Sequence, residues 1–411
     1  MLYNAYEIQR NLLASASAAA SAGVGLLQHP ANPFAYFGGG PLLASALDVF
    51  AHAAAPRGKP AFGLESTQID GVDVAITETV EANKTFGQLR HFVREGYEAQ
   101  DPKLLIVAPM SGHFATLLRG TVARLLPNHD IYITDWADAR DVPLEAGTFD
   151  LDDYVDYLTS WLEYIGPGAH MLAVCQPSVP SLAAACLMSA AKHPCRPRTL
   201  TMMGGPIDTR KAPTAVNELA EERPLSWFHQ NVITTVPFSY PGAGRQVYPG
   251  FLQLAGFMSM NLGNHLISHW QMFKHLVHGD DESAEATKRF YDEYRSVCDL
   301  TSEFYLQTVQ EVFKKHSLPE GELMHRGTRV DPGAITDIAL LAVEGEHDDI
   351  SGIGQTKAAL DITPNLPKAL KQYHLARDVG HYGIFNGSKW RGRIAPVVEN
   401  WIRAHNDLPR G

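Results

Sequence analysis

The chain has 411 residues, 45% of them apolar and 19% charged, with a formal net charge of −11. That length suffices for a large core, in one α/β domain with insertions or in two domains. The negative balance argues against a nucleic-acid or anionic-membrane partner, since either favours a basic face, and it fits an uncharged substrate.

Residues 1–65 read as an Ala-rich helical extension packed on the core, broken at QHPANPFAYFGGGP (28–41). NLLASASAAASAGVG (11–25) has the apolar character of a secretion signal. However, Glu7 precedes it, Arg10 alone supplies positive charge, and the run is Ala/Ser rather than Leu. A packed helix is therefore the expectation. No stretch reaches the roughly 20 apolar residues of a membrane span.

From about residue 70 short apolar strands alternate with amphipathic helices. VDVAITET (73–80) and FGQLRHFV (86–93) form an opening antiparallel pair, and LLIVAP (104–109) is the continuous run of a buried parallel strand. A helix over 114–126 and the strand IYITDW (131–136) follow. The next helix takes Asp150 as cap and stops at Gly166. HMLAV (170–174) is another buried strand, then a helix to about 192 and the strand RTLTMMGG (198–205). The alternation lapses and resumes with IALLAVEG (338–345), a helix near 354–361, KQYHLA (371–376) and a last helix around Trp401. This pattern predicts an α/β fold with a mostly parallel central sheet and helices on both faces. The core is then 66–205 and 336–411, and 206–335 is an inserted helical cap.

Reactive groups collect at the carboxyl ends of parallel strands, and Cys175 in MLAVCQPSVP (171–180) sits at one. The α/β-hydrolase nucleophile occupies such a strand–turn–helix elbow, written G-x-S-x-G. Here Ala173 is the small residue two before, and Pro177 suits the first helical turn. Pro180 suggests an irregular helix start. Cys186 and Cys195 read as inert core cysteines. The four cysteines, with Cys298, form no CxxC pair and no His/Cys cluster at zinc spacing. No metal or disulfide framework is expected, and reduced thiols in a cytoplasm are the simpler reading.

A thiol serves acyl transfer when a neighbouring base makes it a thiolate. In the chain order nucleophile–acid–histidine, Asp348 of VEGEHDDISG and His381 of VGHYGIFNG each follow a strand. Asp349 is the alternative acid, less favoured because Asp348 fits the G-x-x-D spacing. Asp208 of GGPIDTR, after the preceding strand, is a third. A metal site at 347–349 lacks a partner cluster. The oxyanion donors are expected to be the N–H of Gln176 and those of Ser111 or Gly112, in the loop after the third sheet strand. His113 either lines the entrance or serves that loop.

APMSGHFATLLRGT, VCQPSVP, GGPIDTR, YPGFLQL, EGEHDDISGIGQT and GHYGIFNG together resemble the bacterial intracellular poly(3-hydroxybutyrate) depolymerases, over about residues 60–405. The resemblance implies an α/β-hydrolase acting on stored polyester, with Cys175 as nucleophile, Asp348 as acid and His381 as base. It further implies a cytoplasmic location at storage granules, with amorphous polymer or the granule surface as partner. No cofactor is implied. Coenzyme A is an alternative to water as acyl acceptor, and homo-oligomer formation is left open. A polyester synthase, a spent granule-binding protein and a thiol esterase for small esters are the competing readings. VYPGFLQLAGFMSMNLGNHLISHW (247–270) either packs the cap or offers an apolar grip for polymer. Trp136, Trp227 and Trp270 are candidates for a channel wall.

Overall fold

A computed structural model describes residues 2–36, 39–97, 100–260 and 292–407. Nine strands build the main sheet. They are β1 (Ser66–Ile69), β2 (Val72–Lys84), β3 (Gly87–Arg94), β4 (Lys103–Val107) and β5 (Asp130–Trp136). Then come β6 (His170–Val174), β7 (Thr199–Met203), β8 (Ala339–Gly345) and β9 (Lys371–Ala376). Their order is β1-β2-β3-β5-β4-β6-β7-β8-β9. The first four neighbours pair antiparallel, and from β5 to β9 every pair is parallel. This is the α/β-hydrolase architecture.

β6, β7 and β8 are buried along their whole lengths because helices cover both faces. On one face lie α4 (Leu151–Ile165) and α5 (Ser178–Ala190), which place Tyr154, Leu158, Trp161 and Leu182 in one core cluster. On the other lie α3 (Arg119–Leu125) and α10 (Ala395–His405), contributing Val122, Leu125, Val398 and Ile402. α4 starts and stops where its sequence dictates. Asp150 and Asp153 exchange side-chain-to-backbone bonds in a capping box, and Gly166 follows at φ 87°.

Three local readings change. The expected helix over 114–126 opens as a 3₁₀ turn, Ala115–Leu118, before α3. The helix near 354–361 shrinks to Ala358–Asp361, because Gly354 sits at φ 98°, outside helical geometry. Pro180 causes no irregularity. It lies in the first turn of α5, where an N–H has no intrahelical partner to lose.

Between β7 and β8 run α6 (Ala215–Glu222), α7 (Leu225–Asn231), α8 (Gly250–Met260) and α9 (Ser302–Thr308). With them is a small antiparallel sheet of Thr234–Thr235, Gln246–Tyr248 and Leu300–Thr301. At the N-terminus α1 (Leu2–Gln28) and α2 (Gly40–Ala54) form a hairpin. Tyr3 anchors it, 1% exposed, its hydroxyl donating to Asp299 Oδ2 at 2.5 Å. Among the described residues no helix is long and apolar enough to cross a membrane.

Candidate active site

β6 delivers Cys175 to the carboxyl edge of the sheet, and the turn into α5 is sharp enough to hold Cys175 at φ 68°. A side chain other than glycine's rarely adopts that left-handed conformation and is strained there by about 1–3 kcal/mol. Two backbone bonds fix it. Cys175 N–H donates to Met203 O at 2.7 Å, and Ser178 N–H donates back to Cys175 O at 3.0 Å. The thiol is partly exposed, whereas Cys186 and Cys298 are buried and burial pushes both thiols up.

Asp348 and His381 arrive from the loops after β8 and β9. His381 Nδ1 lies 2.8 Å from Asp348 Oδ2, with both side chains almost fully buried. Asp348 Oδ1 meanwhile accepts from Ile350 N–H at 2.9 Å and Ser351 N–H at 2.8 Å. The carboxylate is thus aimed by its own loop. Burial would lower the basicity of His381, but the Asp348 charge and the adjacent Cys175 sulfur override it, and the imidazole pKa stands well above 6.5. The structure therefore brings Cys175, His381 and Asp348 together, a thiol beside an imidazole that a buried carboxylate holds.

The alternative acids lie elsewhere. Asp349 is exposed. Asp208 pairs with Arg210 at 2.8 Å, and although burial opposes it, those contacts hold its carboxyl below the usual range. Glu346, His347 and Asp378 are the one group among the described residues with metal-ligand proximity. Glu346 is already engaged there by Arg377 and by Asp378 N–H.

Two glycines that sequence reading passed over let the three residues converge. A Cβ on Gly204, itself at φ 60°, would stand 3.1 Å from His381 Cε1 and 3.2 Å from Asp348 Oδ2. One on Gly205 would stand 2.0 Å from Ser178 Oγ and 3.1 Å from Cys175 O. The signal was the glycine pair ending a buried strand. Gly205 is also tied to the loop carrying the acid. Its N–H donates to Thr356 Oγ1 at 2.8 Å, and that hydroxyl donates to Gly205 O at 3.0 Å.

Glu344, fully buried in β8, was missed as well. Its Oε1 accepts from Thr356 N–H at 2.8 Å and Lys357 N–H at 2.9 Å. Its Oε2 accepts from Gly354 N–H and Tyr373 Oη–H, both at 2.8 Å. A lone carboxylate inside an apolar strand was the readable sign, since a buried charge needs partners.

Gln176, the residue after Cys175, is buried, and its Oε1 accepts from Met110 N–H at 3.4 Å. The 109–113 loop therefore reaches the elbow through Met110. Ser111 is half-buried, and Gly112, at φ 94°, is pressed by Gln253, whose Oε1 would lie 2.6 Å from a Cβ there. His113 lines no entrance. It is 2% exposed, its Nε2 is 2.9 Å from Tyr294 O, and burial pulls its pKa down to about 4.

Trp136 is no channel wall either. It is 2% exposed, its indole N–H donates to Ala108 O at 2.9 Å, and its ring packs on Tyr154 and Trp161. With Tyr154, whose hydroxyl donates to the same carbonyl at 3.1 Å, it fastens the strand end from beneath the loop. Trp227, half-buried on α7, packs edge-on against Phe228. Trp270 and the rest of the apolar stretch from residue 261 onward lie outside the described residues.

No curated protein matches this chain. Solved structures with a similar chain path include DcsB in complex with its substrate analogue, at 13% identity and TM-score 0.46, covering 81% of this chain and 100% of that one. A monoacylglycerol lipase of Paleococcus ferrophilus aligns at 11% identity and TM-score 0.44, covering 81% and 100%. A thermophilic esterase of Thermogutta terrifontis aligns at 12% and 0.41, covering 83% and 97%. Residues 204–406 match the family model PHB de-polymerase C-terminus. That span holds Asp348 and His381 and leaves Cys175 outside it.

Proposed function

We propose that this chain cleaves ester bonds of poly(3-hydroxybutyrate) through Cys175, His381 and Asp348, at the surface of intracellular storage granules. The observation that carries the reading is the left-handed elbow of Cys175 facing a buried, hydrogen-bonded Asp348–His381 pair. The substrate class is suggested by the match of residues 204–406 to the PHB de-polymerase C-terminus model.

The Cys175 thiolate attacks the ester carbonyl, forming the S–C bond, while backbone N–H groups at the elbow receive the oxyanion. As the C–O bond breaks, His381 gives its proton to the departing hydroxyl of the shortened polymer. It then takes a proton from water, whose oxygen displaces the acyl group from sulfur, and Asp348 holds the ring throughout. A thioester intermediate also admits coenzyme A as acceptor, with 3-hydroxybutyryl-CoA as product.

The test is incubation of purified protein with native amorphous granules, with and without coenzyme A, followed by product identification. Release of 3-hydroxybutyrate or its oligomers, or of the CoA thioester, supports the reading. Intact polymer alongside rapid cleavage of short acyl esters would make this a small-ester esterase instead.

A further inference from the structure

Among the described residues seventeen large apolar side chains are exposed, and nine of them lie between residues 2 and 50. On α1, Ile8, Leu12, Ala19 and Leu26 recur at helical spacing and all face solvent. On α2, Leu42, Leu43, Ala46 and Phe50 are exposed, while Ala44 and Ala51 on the opposite side are buried. Each helix thus turns an apolar face outward.

The same hairpin is almost without charge. Between residues 2 and 54 the charged side chains are Glu7, Arg10 and Asp48, in a chain with 79 Lys, Arg, Asp and Glu (34 plus 45). Glu7 and Arg10 pair with each other at 2.9 Å. A surface of this kind has no basic cluster of the sort an anionic bilayer selects. It complements a neutral, aliphatic surface.

The hairpin is also fastened to the segments around the candidate site. Tyr6 stacks on Phe251 of α8, ring centroids 3.9 Å apart, and Gln253 of that helix presses on Gly112. His52 of α2 meets Asp292 at 2.9 Å, and nearby Tyr294 O is the partner of His113.

We propose that the α1–α2 hairpin is a docking surface for an uncharged aliphatic polyester, holding polymer beside the Cys175 site. This rests on the polyester reading given above. The exposed faces meet the polymer by apolar burial, and the Tyr3, Tyr6 and His52 contacts keep the bound chain in register with the loop at 109–113.

The test uses full-length protein and protein-free amorphous poly(3-hydroxybutyrate) particles. The double substitution Ile8→Glu with Leu12→Glu keeps good helix formers at exposed positions. It should cut sedimentation with the particles at least tenfold and leave hydrolysis of a soluble short-chain acyl ester unchanged. Parent binding should be insensitive to salt. Equal sedimentation of variant and parent would overturn the proposal. So would equal parent binding to neutral phospholipid vesicles, or a parent dimer that the double variant dissolves without loss of particle binding. Cys175→Ser, run alongside, keeps the two claims apart. It should bind particles without cleaving them, and full cleavage by it would sink the catalytic reading while the binding result stands.

Discussion

At Asp348 the two carboxylate oxygens divide their work, one bonded to the Ile350 and Ser351 amides and one to His381. Asp348→Asn should therefore keep the loop while removing the charge that sustains the imidazolium. Only the Cys175 sulfur is then left to oppose burial, and the His381 pKa falls. If imidazolium is the proton donor to the leaving group, the alkaline limb of the pH–rate profile moves to lower pH. kcat should drop by roughly 10²–10⁴, and a profile identical to the parent's would contradict the assignment. Stability carries the same sign. A raised histidine pKa contributes stability that is complete below the unfolded value of about 6.5 and disappears as pH rises through the folded value. The variant loses that contribution.

That Cys175, Asp348 and His381 meet was legible in the sequence because each follows a strand, and strand ends converge in a parallel sheet. Gly204 and Gly205 were not, since what excludes a Cβ there is Ser178, His381 and Asp348 arriving from distant segments. Trp136 was misread for the reverse reason. An aromatic at a strand's carboxyl end resembles a channel wall until its N–H is seen to hold Ala108 O.

β8 and the segment after it show how an element can be right in outline and incomplete in chemistry. Its apolar run marked the strand to within a residue, yet Glu344 inside that run ties Gly354, Thr356 and Lys357 to the sheet. Replacing it with Leu leaves three amide donors and Tyr373 Oη–H without their acceptor. We predict a loss of about 3 kcal/mol or more and faster hydrogen exchange at those three amides. Unchanged exchange would mean that the loop is held by Thr356 and Gly205 alone. The same loop explains the shortened helix at Ala358–Asp361, because Gly354 at φ 98° keeps the preceding residues from joining it.

For the molecule as a whole, strand–helix alternation foretold the sheet, and residues 206–335 fall between β7 and β8 as an interruption. Periodicity did not reveal where the insertion and the N-terminal hairpin press. The Tyr3–Asp299 bond and the Tyr6–Phe251 stack join residues that the sequence separates widely. The loop at 109–113 meets the same region, its Gly112 O accepting from Cys298 N–H at 2.8 Å, while its Met110 N–H reaches the side chain of Gln176, next in the chain to the Cys175 sulfur. That sulfur is where the account is most directly tested. Protein mixed with a 3-hydroxybutyrate oligomer, quenched in acid and weighed by intact and peptide mass spectrometry should carry a hydroxylamine-labile acyl group on Cys175. Cys175→Ser should lose that labile adduct and most of the turnover. Steady turnover with no acyl group on Cys175, or parent rates in the serine variant, would contradict it.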